Sequence, residues 1–448
     1  MKVCLPYSRK KRYLTGIDWV VLTLNQMTRR AGYPGNSSQI VLELAGGFSV
    51  DRFQSSIRDF CALFPLLYGR PARCWNLAPY WRAPSSTARE KPPRVEVHYL
   101  PENASRDDVM DVLTKAVNAP FLSPRDHLAF HVVFAGQAKC FLGMTFDHGL
   151  LDAGGAETFL DLFQSWQSQT GFEERYRQIA FTEPAHLCNW RRRFDAGRGV
   201  GNLMRALSHS KPCSLPLPSG SNSFRFRLIH FSSEESAAIL DAAEREAGYL
   251  LLTPYLLSRF IYHLQAVFKA RQALAPEHLI SVSVDHRTAE AAARDVFFNH
   301  MSFLFFRVPS GIADDHDRVI HILKQQMYEQ AKSRFSHNLA DASMLMRILP
   351  LSVFSHLRQV VLKGNFATFG FSAIGSCSFT SPRFMDADVL NLFHMPLIPV
   401  PPGLGFIVTR YGDRLNAAIP YLDGMLTREE ADGLARQVRE SLVAGSGH

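Results

Sequence analysis

Residues Gly143 to Gly155 read G-M-T-F-D-H-G-L-L-D-A-G-G, an apolar stretch that runs into His148 and, four residues on, Asp152. A neutral imidazole at the exposed end of a rigid strand can take a proton from a hydroxyl or an amine, because its ordinary pKa lies near neutrality. Asp152 is a carboxylate suited to holding the next turn in shape, and Ala153, Gly154 and Gly155 allow close approach of backbone and substrate. The same chain carries internal controls. Asp126–His127, Asp285–His286 and Asp315–His316 are also Asp-His pairs, and none is followed by an Asp beside small residues.

The elements around the motif follow from periodicity and capping. Gln39 to Leu44 alternates as a strand, and Val50 to Leu66 carries apolar residues at helical spacing. Arg94 to Leu100 is strand-like, and Ser105 caps a helix to Val117 with Asp107 and Asp108 in its first turn. Leu128 to Phe134 and Cys140 to Phe146 form a hairpin around Gly136, and Ala156 to Gln167 is the helix after the motif. His148 therefore belongs to a strand-to-helix turn. Pro184, the glycines 197, 199 and 201, and the run S-K-P-C-S-L-P-L-P-S-G-S-N-S from Ser210 break both periodicities, so a connection is expected over 171–222 between lobes 1–170 and 223–448. The second half opens with a strand over Ser223 to Phe231. Ser232 then caps a helix, and a further helix runs to Ala270 with Thr253 as cap and Pro254 at its first position. Strands follow at Ile280 to Val284, Phe303 to Val308, Phe366 to Ser372, Leu404 to Tyr411 and Arg414 to Tyr421. Helices are expected near His316 to Ser333, Asp341 to Leu349 and Ser352 to Leu362, and Thr427 with Glu430 starts the last one as a capping box.

With 448 residues, 46% hydrophobic and 20% charged, the chain is long enough for two core-bearing lobes. The 49 basic and 41 acidic residues leave a formal +8, which favours anionic partners such as CoA, an acidic carrier protein or a membrane surface. Nucleic acid is not expected, since zinc-finger spacing, an aromatic RNP-like strand and a long basic helix are all missing. Seven scattered cysteines without a C-x-x-C pair argue against a disulfide framework and for a reducing, cytoplasmic setting. Cys140 reads as a small core residue rather than a nucleophile. No H-E-x-x-H or comparable spacing occurs, so no metal is expected, and the dinucleotide, P-loop and G-x-S-x-G motifs are also lacking. No apolar run reaches a membrane span. Two basic clusters, Arg9–Arg12 and W-R-R-R-F from Trp190 to Phe194, are either solvated faces or contacts for CoA phosphates, a carrier helix or anionic lipid, the last giving peripheral membrane association.

D-H-G-L-L-D-A-G resembles the H-H-x-x-x-D-G signature of the chloramphenicol acetyltransferase-like superfamily. That group includes condensation domains, wax ester synthases, polyketide-associated acyltransferases and plant BAHD enzymes with H-x-x-x-D. Asp147 stands where the pattern has its first His, and Ala153 where it has Gly. L-T-G-I-D-W near Thr15, C-A-L-F-P-L-L from Cys61, N-A-P-F from Asn118 and Y-L-D-G-M-L-T-R-E-E-A from Tyr421 extend the resemblance along the chain. It implies an α/β fold of two similar lobes, a pseudo-dimer around a central substrate tunnel. By the same resemblance His148 is the general base, Asp152 and Gly154 shape the loop, and Arg287 in V-D-H-R is the ion-pair partner of Asp152, unless it is a solvated loop residue. Asp147, Asn299 and Ser372 are candidate substrate contacts; Asn299 could instead pin a loop, and Thr368 could replace Ser372 as donor to an oxyanion. The expected activity is acyl transfer from a thioester co-substrate, acyl-CoA or carrier-bound, to an alcohol or amine, with no bound cofactor. A stand-alone condensation-type enzyme and a non-catalytic binding module of the same fold are the alternatives.

Overall fold

The S-S-Q-I-V-L-E-L-A run at Ser37–Ala45 is buried on both faces along almost its whole length, the pattern of a central strand. In the computed structural model, which describes residues 11–87, 90–136, 139–179, 190–208, 210–218, 220–361 and 367–445, it lies in the middle of a six-stranded sheet. On one side it pairs antiparallel with Lys139–Asp147, then come Leu128–Ala135 and Arg94–Leu100. On the other side it pairs with Ala387–Pro396, a strand that crosses from the C-terminal half, with Arg383–Phe384 at the edge. The N-terminal lobe is thus completed by chain from well beyond residue 223.

The second six-stranded sheet runs Met301–Pro309, Glu277–Asp285, Phe369–Ser376, Gly405–Tyr411, Arg414–Leu422 and Phe224–His230. Phe369–Ser376 is parallel to both its neighbours, and the other pairs are antiparallel. Two sheets of equal size, each covered by helices, give the expected two-lobed α/β build. A small third sheet of Lys11–Tyr13, Pro79–Arg82 and Arg70–Arg73 flanks the N-terminal lobe.

Helix starts obey local capping. Thr15, Ser105, Ser232 and Thr427 each close a capping box with the acidic residue three positions on. The helix Val50–Cys61 buries Phe53, Ile57 and Phe60 and stops before the residues expected, because Pro65 opens a separate 3-10 turn to Tyr68. Phe60 packs against Phe64, Phe159, Phe163 and Trp166, and this aromatic cluster joins that helix to the one carrying the motif. Rings buried this way contribute on the order of 1.5–3 kcal/mol each.

Three local expectations change. The long helix of the second half spans Leu252–Ala270 and starts at Leu251 without a side-chain cap, so Thr253 and Pro254 lie inside its first turn. The expected connection contains helices Phe172–Gln178 and Trp190–Ser208, the latter packed on helix Phe335–Met346. Its glycines lower helix propensity without abolishing it once a packing face exists. The strand expected from Phe366 begins at Phe369. Arg9, Lys10, Pro184, Leu362 and Phe366 lie outside the described residues.

Candidate active site

The Lys139–Asp147 strand ends in a tight turn in which the N–H groups of Leu150 and Leu151 donate to the Asp147 carbonyl at 2.9 and 3.1 Å. His148 N–H donates to Asn36 O at 3.2 Å, and the helix Ala153–Ser168 begins directly after the turn. Asp152 is its N-cap, accepting from Gly155 N at 2.9 Å. The small residues have unequal work. A Cβ on Gly155 would lie 2.1 Å from Val296 O, whereas one on Gly154 would meet Asp285 and Arg287 side-chain atoms at 3.3 and 3.4 Å. Gly155, rather than Gly154, is the position where only glycine fits.

His148 Nδ1 lies 3.0 Å from Asn299 Oδ1. Asn299 Nδ2 points at two acceptors, His148 O at 3.0 Å and Asp18 Oδ1 at 3.3 Å, and Asn299 N–H also donates to Asp18 Oδ1 at 2.9 Å. These partners fix which end of the amide is oxygen, so Nδ1 of His148 must carry the hydrogen and Nε2 keeps its lone pair. Asp18 is fully buried and is itself held at Oδ2 by Thr15 N–H and Oγ1, each at 2.8 Å. Phe298, beside Asn299, sits in the left-handed backbone region at φ 73. Such a conformation costs about 1–3 kcal/mol for a bulky residue and persists where packing enforces it. Here the Arg12 guanidinium lies 3.8 Å over the Phe298 ring, Trp81 meets it edge-on, and Phe298 N–H donates to Leu150 O.

Arg287 and Asp152 form an ion pair, Nη2 to Oδ1 at 2.6 Å, with both side chains buried. Asp152 Oδ2 accepts from His300 N–H at 2.9 Å, so both its oxygens are used. Burial alone would raise the Asp152 pKa, but the charge and hydrogen bond of Arg287, with His300, outweigh it and hold it below the ordinary carboxylate value. Arg287 is fixed in turn by Asp285 and by Asp295 O. It is not a solvated loop residue. Residues 285–300 of the C-terminal half thus brace the His148 turn at two points.

Other expectations are corrected. Asp147 uses both carboxylate oxygens within the protein: Oδ2 pairs with His127 Nδ1 at 2.9 Å and Oδ1 accepts from Gly149 N–H at 2.8 Å. Burial opposes its ionisation, yet His127 and Gly149 hold its pKa below the usual value. Asn299 pins the His148 turn from behind the imidazole, the loop-holding alternative. Thr368 spends its hydroxyl on Leu279 N–H, whereas Ser372 lines the cavity described next. Burial pushes the Cys140 thiol up to about 12, in keeping with an inert core residue. Arg12 is buried against Phe298, 3.9 Å from Asp18, and so is no part of a surface basic patch. Phe194 is exposed and Arg193 buried. Among the described residues no helix is long and apolar enough to cross a membrane.

A cavity of about 560 Å³ opens between the two sheets, with His148 on its wall. Its lining is mainly apolar and comes from both halves, for example Val20, Val21, Met301 and Phe303, with Ser38, Ser281, Ser283 and Ser372 as polar points. His286 and His300 are not on this wall. Two features escaped sequence reasoning. Asp18 entered the sequence reading only as part of the segment L-T-G-I-D-W. His394, on the crossing strand, lines the cavity and pairs through Nε2 with Glu157 Oε1 at 2.8 Å, both groups being almost wholly buried. Glu157 also accepts from Ser378 N at 2.7 Å, while His394 Nδ1 has no partner.

No family model matches this sequence, and no curated protein matches it significantly. Solved structures do match in fold. The trichothecene 15-O-acetyltransferase from Fusarium sporotrichioides superposes with a TM-score of 0.69 at 13% identity, over 97% of this chain and 95% of that one. The first condensation domain of the calcium-dependent antibiotic synthetase, in complex with a substrate analogue, gives 0.66 at 15% identity, over 97% and 96%. The epimerization domain from the third module of tyrocidine synthetase B gives 0.60 at 12%, over 98% and 96%. The chain therefore has, over nearly its whole length, the two-lobed chloramphenicol acetyltransferase-like fold that the His148 motif led us to expect.

Proposed function

We propose that this protein is an acyltransferase that moves an acyl group from a thioester, acyl-CoA or carrier-bound, to a hydroxyl or amine, with His148 as general base. The observation that carries the reading is an imidazole held in one tautomer by Asn299 on the wall of a mainly apolar cavity between the lobes. Nε2 takes the proton of the acceptor as its oxygen or nitrogen bonds to the thioester carbonyl carbon. The tetrahedral oxyanion collapses, the C–S bond breaks, and the imidazolium returns the proton to the leaving thiolate. Ser372, and the serines at 281 and 283, are the cavity hydroxyls suited to donate to the oxyanion. No bound cofactor is required, and holding both reactants in the cavity supplies much of the remaining advantage. Asp152, Arg287, Gly154 and Gly155 keep the turn in place and do not touch the reacting atoms.

The neighbours named above act on different substrates, and the condensation-type alternative uses the same base with a carrier-bound donor. Release of free thiol from a panel of acyl-CoAs, measured with alcohols and with amines and compared with acyl carrier proteins, tests both. Acceptor-dependent thiol release that His148→Ala abolishes is the expected result. No release from any thioester would favour a binding module of the same fold.

A further inference from the structure

The Arg94–Leu100 strand is the outer edge of the N-terminal sheet and runs parallel to Leu128–Ala135, with Glu96 opposite His131. Alternation places His98 on the same face as Glu96, the face opposite Phe130 and Val132 of the aromatic core. Three metal-binding side chains are thereby gathered away from the cavity. One atom from each lies within 4.8 Å of the others. His131 Nδ1 is 3.4 Å and His98 Nε2 4.0 Å from the same oxygen, Glu96 Oε2.

We propose that Glu96, His98 and His131 form a binding site for a divalent transition-metal ion of the zinc type. His131 is only 2% exposed, and neither of its ring nitrogens has a hydrogen-bond partner; His98 Nε2 is likewise buried and unpartnered. Leaving such groups unsatisfied is costly, and an ion bound by the lone pair of each ring would satisfy one nitrogen of each. Bonds of about 2.0–2.1 Å in a tetrahedron put ligand atoms roughly 3.3 Å apart, close to the spacing already present at His131 and within a small side-chain adjustment at His98. Two imidazoles and one carboxylate suit zinc and its neighbours better than calcium or magnesium.

Arg94, a cation beside the site, contacts the other carboxylate oxygen, Nη1 to Oε1 at 3.1 Å. Oε2, the oxygen both imidazoles approach, is left for the ion, and the guanidinium orients the carboxylate that would bind it. Glu96 and His98 are each about a third exposed, so the ion has an entry path and a fourth position open to water. Sequence spacing conceals such a site. The E-x-H pair and a His 33 residues later form no recognised motif, and only the sheet register unites them.

The test uses the full chain, stripped with a chelator and titrated with zinc by calorimetry, and with cobalt by visible absorption. One ion per chain is expected, with a melting temperature raised by zinc and restored by EDTA. His98→Gln and Glu96→Gln, both at partly exposed positions compatible with folding, should weaken binding by more than about tenfold and erase the cobalt bands. Failure of the wild type to bind either ion would overturn the proposal. So would equal binding by wild type and His98→Gln, since the ion would then sit on other histidines or cysteines. Thioester activity enters neither result, so the acyltransfer reading stands or falls separately.

Discussion

Two strands of this molecule end in the same dipeptide. Lys139–Asp147 runs into His148, and Glu277–Asp285 runs into His286. In the first turn the imidazole lies on the cavity wall with Asn299 behind it, and the aspartate turns away to His127. In the second, His286 is bonded to Ser336 at 3.0 Å and stacked on His337, while Asp285 holds Arg287. The two turns are then used asymmetrically. The segment after His286 reaches across with Arg287 and Asn299 to brace the segment around His148, and among the described residues no comparable support runs the other way to His286. An Asp-His pair becomes a candidate base when a neighbour fixes its tautomer and a cavity receives its free nitrogen.

The largest effect separating the two turns is expected from His148→Ala, which should lower turnover by about 10² to 10⁴ with an unchanged circular dichroism spectrum. Wild-type turnover in that variant would remove the distinction altogether. Next, Asp152→Asn should destabilise the fold, since breaking a buried ion pair costs about 3–5 kcal/mol. The pH dependence has a definite sign. Because the folded pKa of Asp152 is depressed, its stabilisation is fully present above the unfolded value near 4 and is lost as pH falls through the folded one. Melting curves should therefore show a gap between wild type and variant that is constant near neutrality and closes only in acid; a gap that closes between about pH 6 and 8 would point to a different group.

Smaller again is Asn299→Ala, expected to cost about tenfold to a hundredfold in kcat with little change in KM, because it frees the tautomer without altering the cavity wall. A merely structural Asn299 would lower stability and leave the pH profile of the surviving activity unmoved. His286→Ala closes the series, with a stability loss of about 0.5–1.5 kcal/mol expected from its bond to Ser336 and turnover near wild type. A loss comparable to that of His148→Ala would erase the contrast from which these predictions start.

Much of the frame was readable because its signals are local. Capping boxes at Ser105, Ser232 and Thr427 involve residues three apart, and the hairpin that leads into the motif announces itself by alternation and turn residues. The helix at Trp190–Ser208 was not readable, because its glycines obscure a packing face that exists only when helix Phe335–Met346 is beside it. Asp147 was misread for a related reason. Its position next to His148 suggested a shared site, yet the strand ends at Asp147 and His148 belongs to the turn that follows. Asp147 meets His127 on one side, and His148 meets the cavity on the other.

By itself the sequence determined a strand, a turn and a capped helix that carry His148 and Asp152, since periodicity and capping act over a few residues. Tertiary structure alone decided what those residues can do. The amide that orients His148 lies 151 residues away, the carboxylate that orients the amide a further 281 from it, and the guanidinium on Asp152 is 135 residues off. Hydrogen-bond partners at such separations leave no periodic trace in the chain, because the folded lobes, and not the local sequence, bring them within reach.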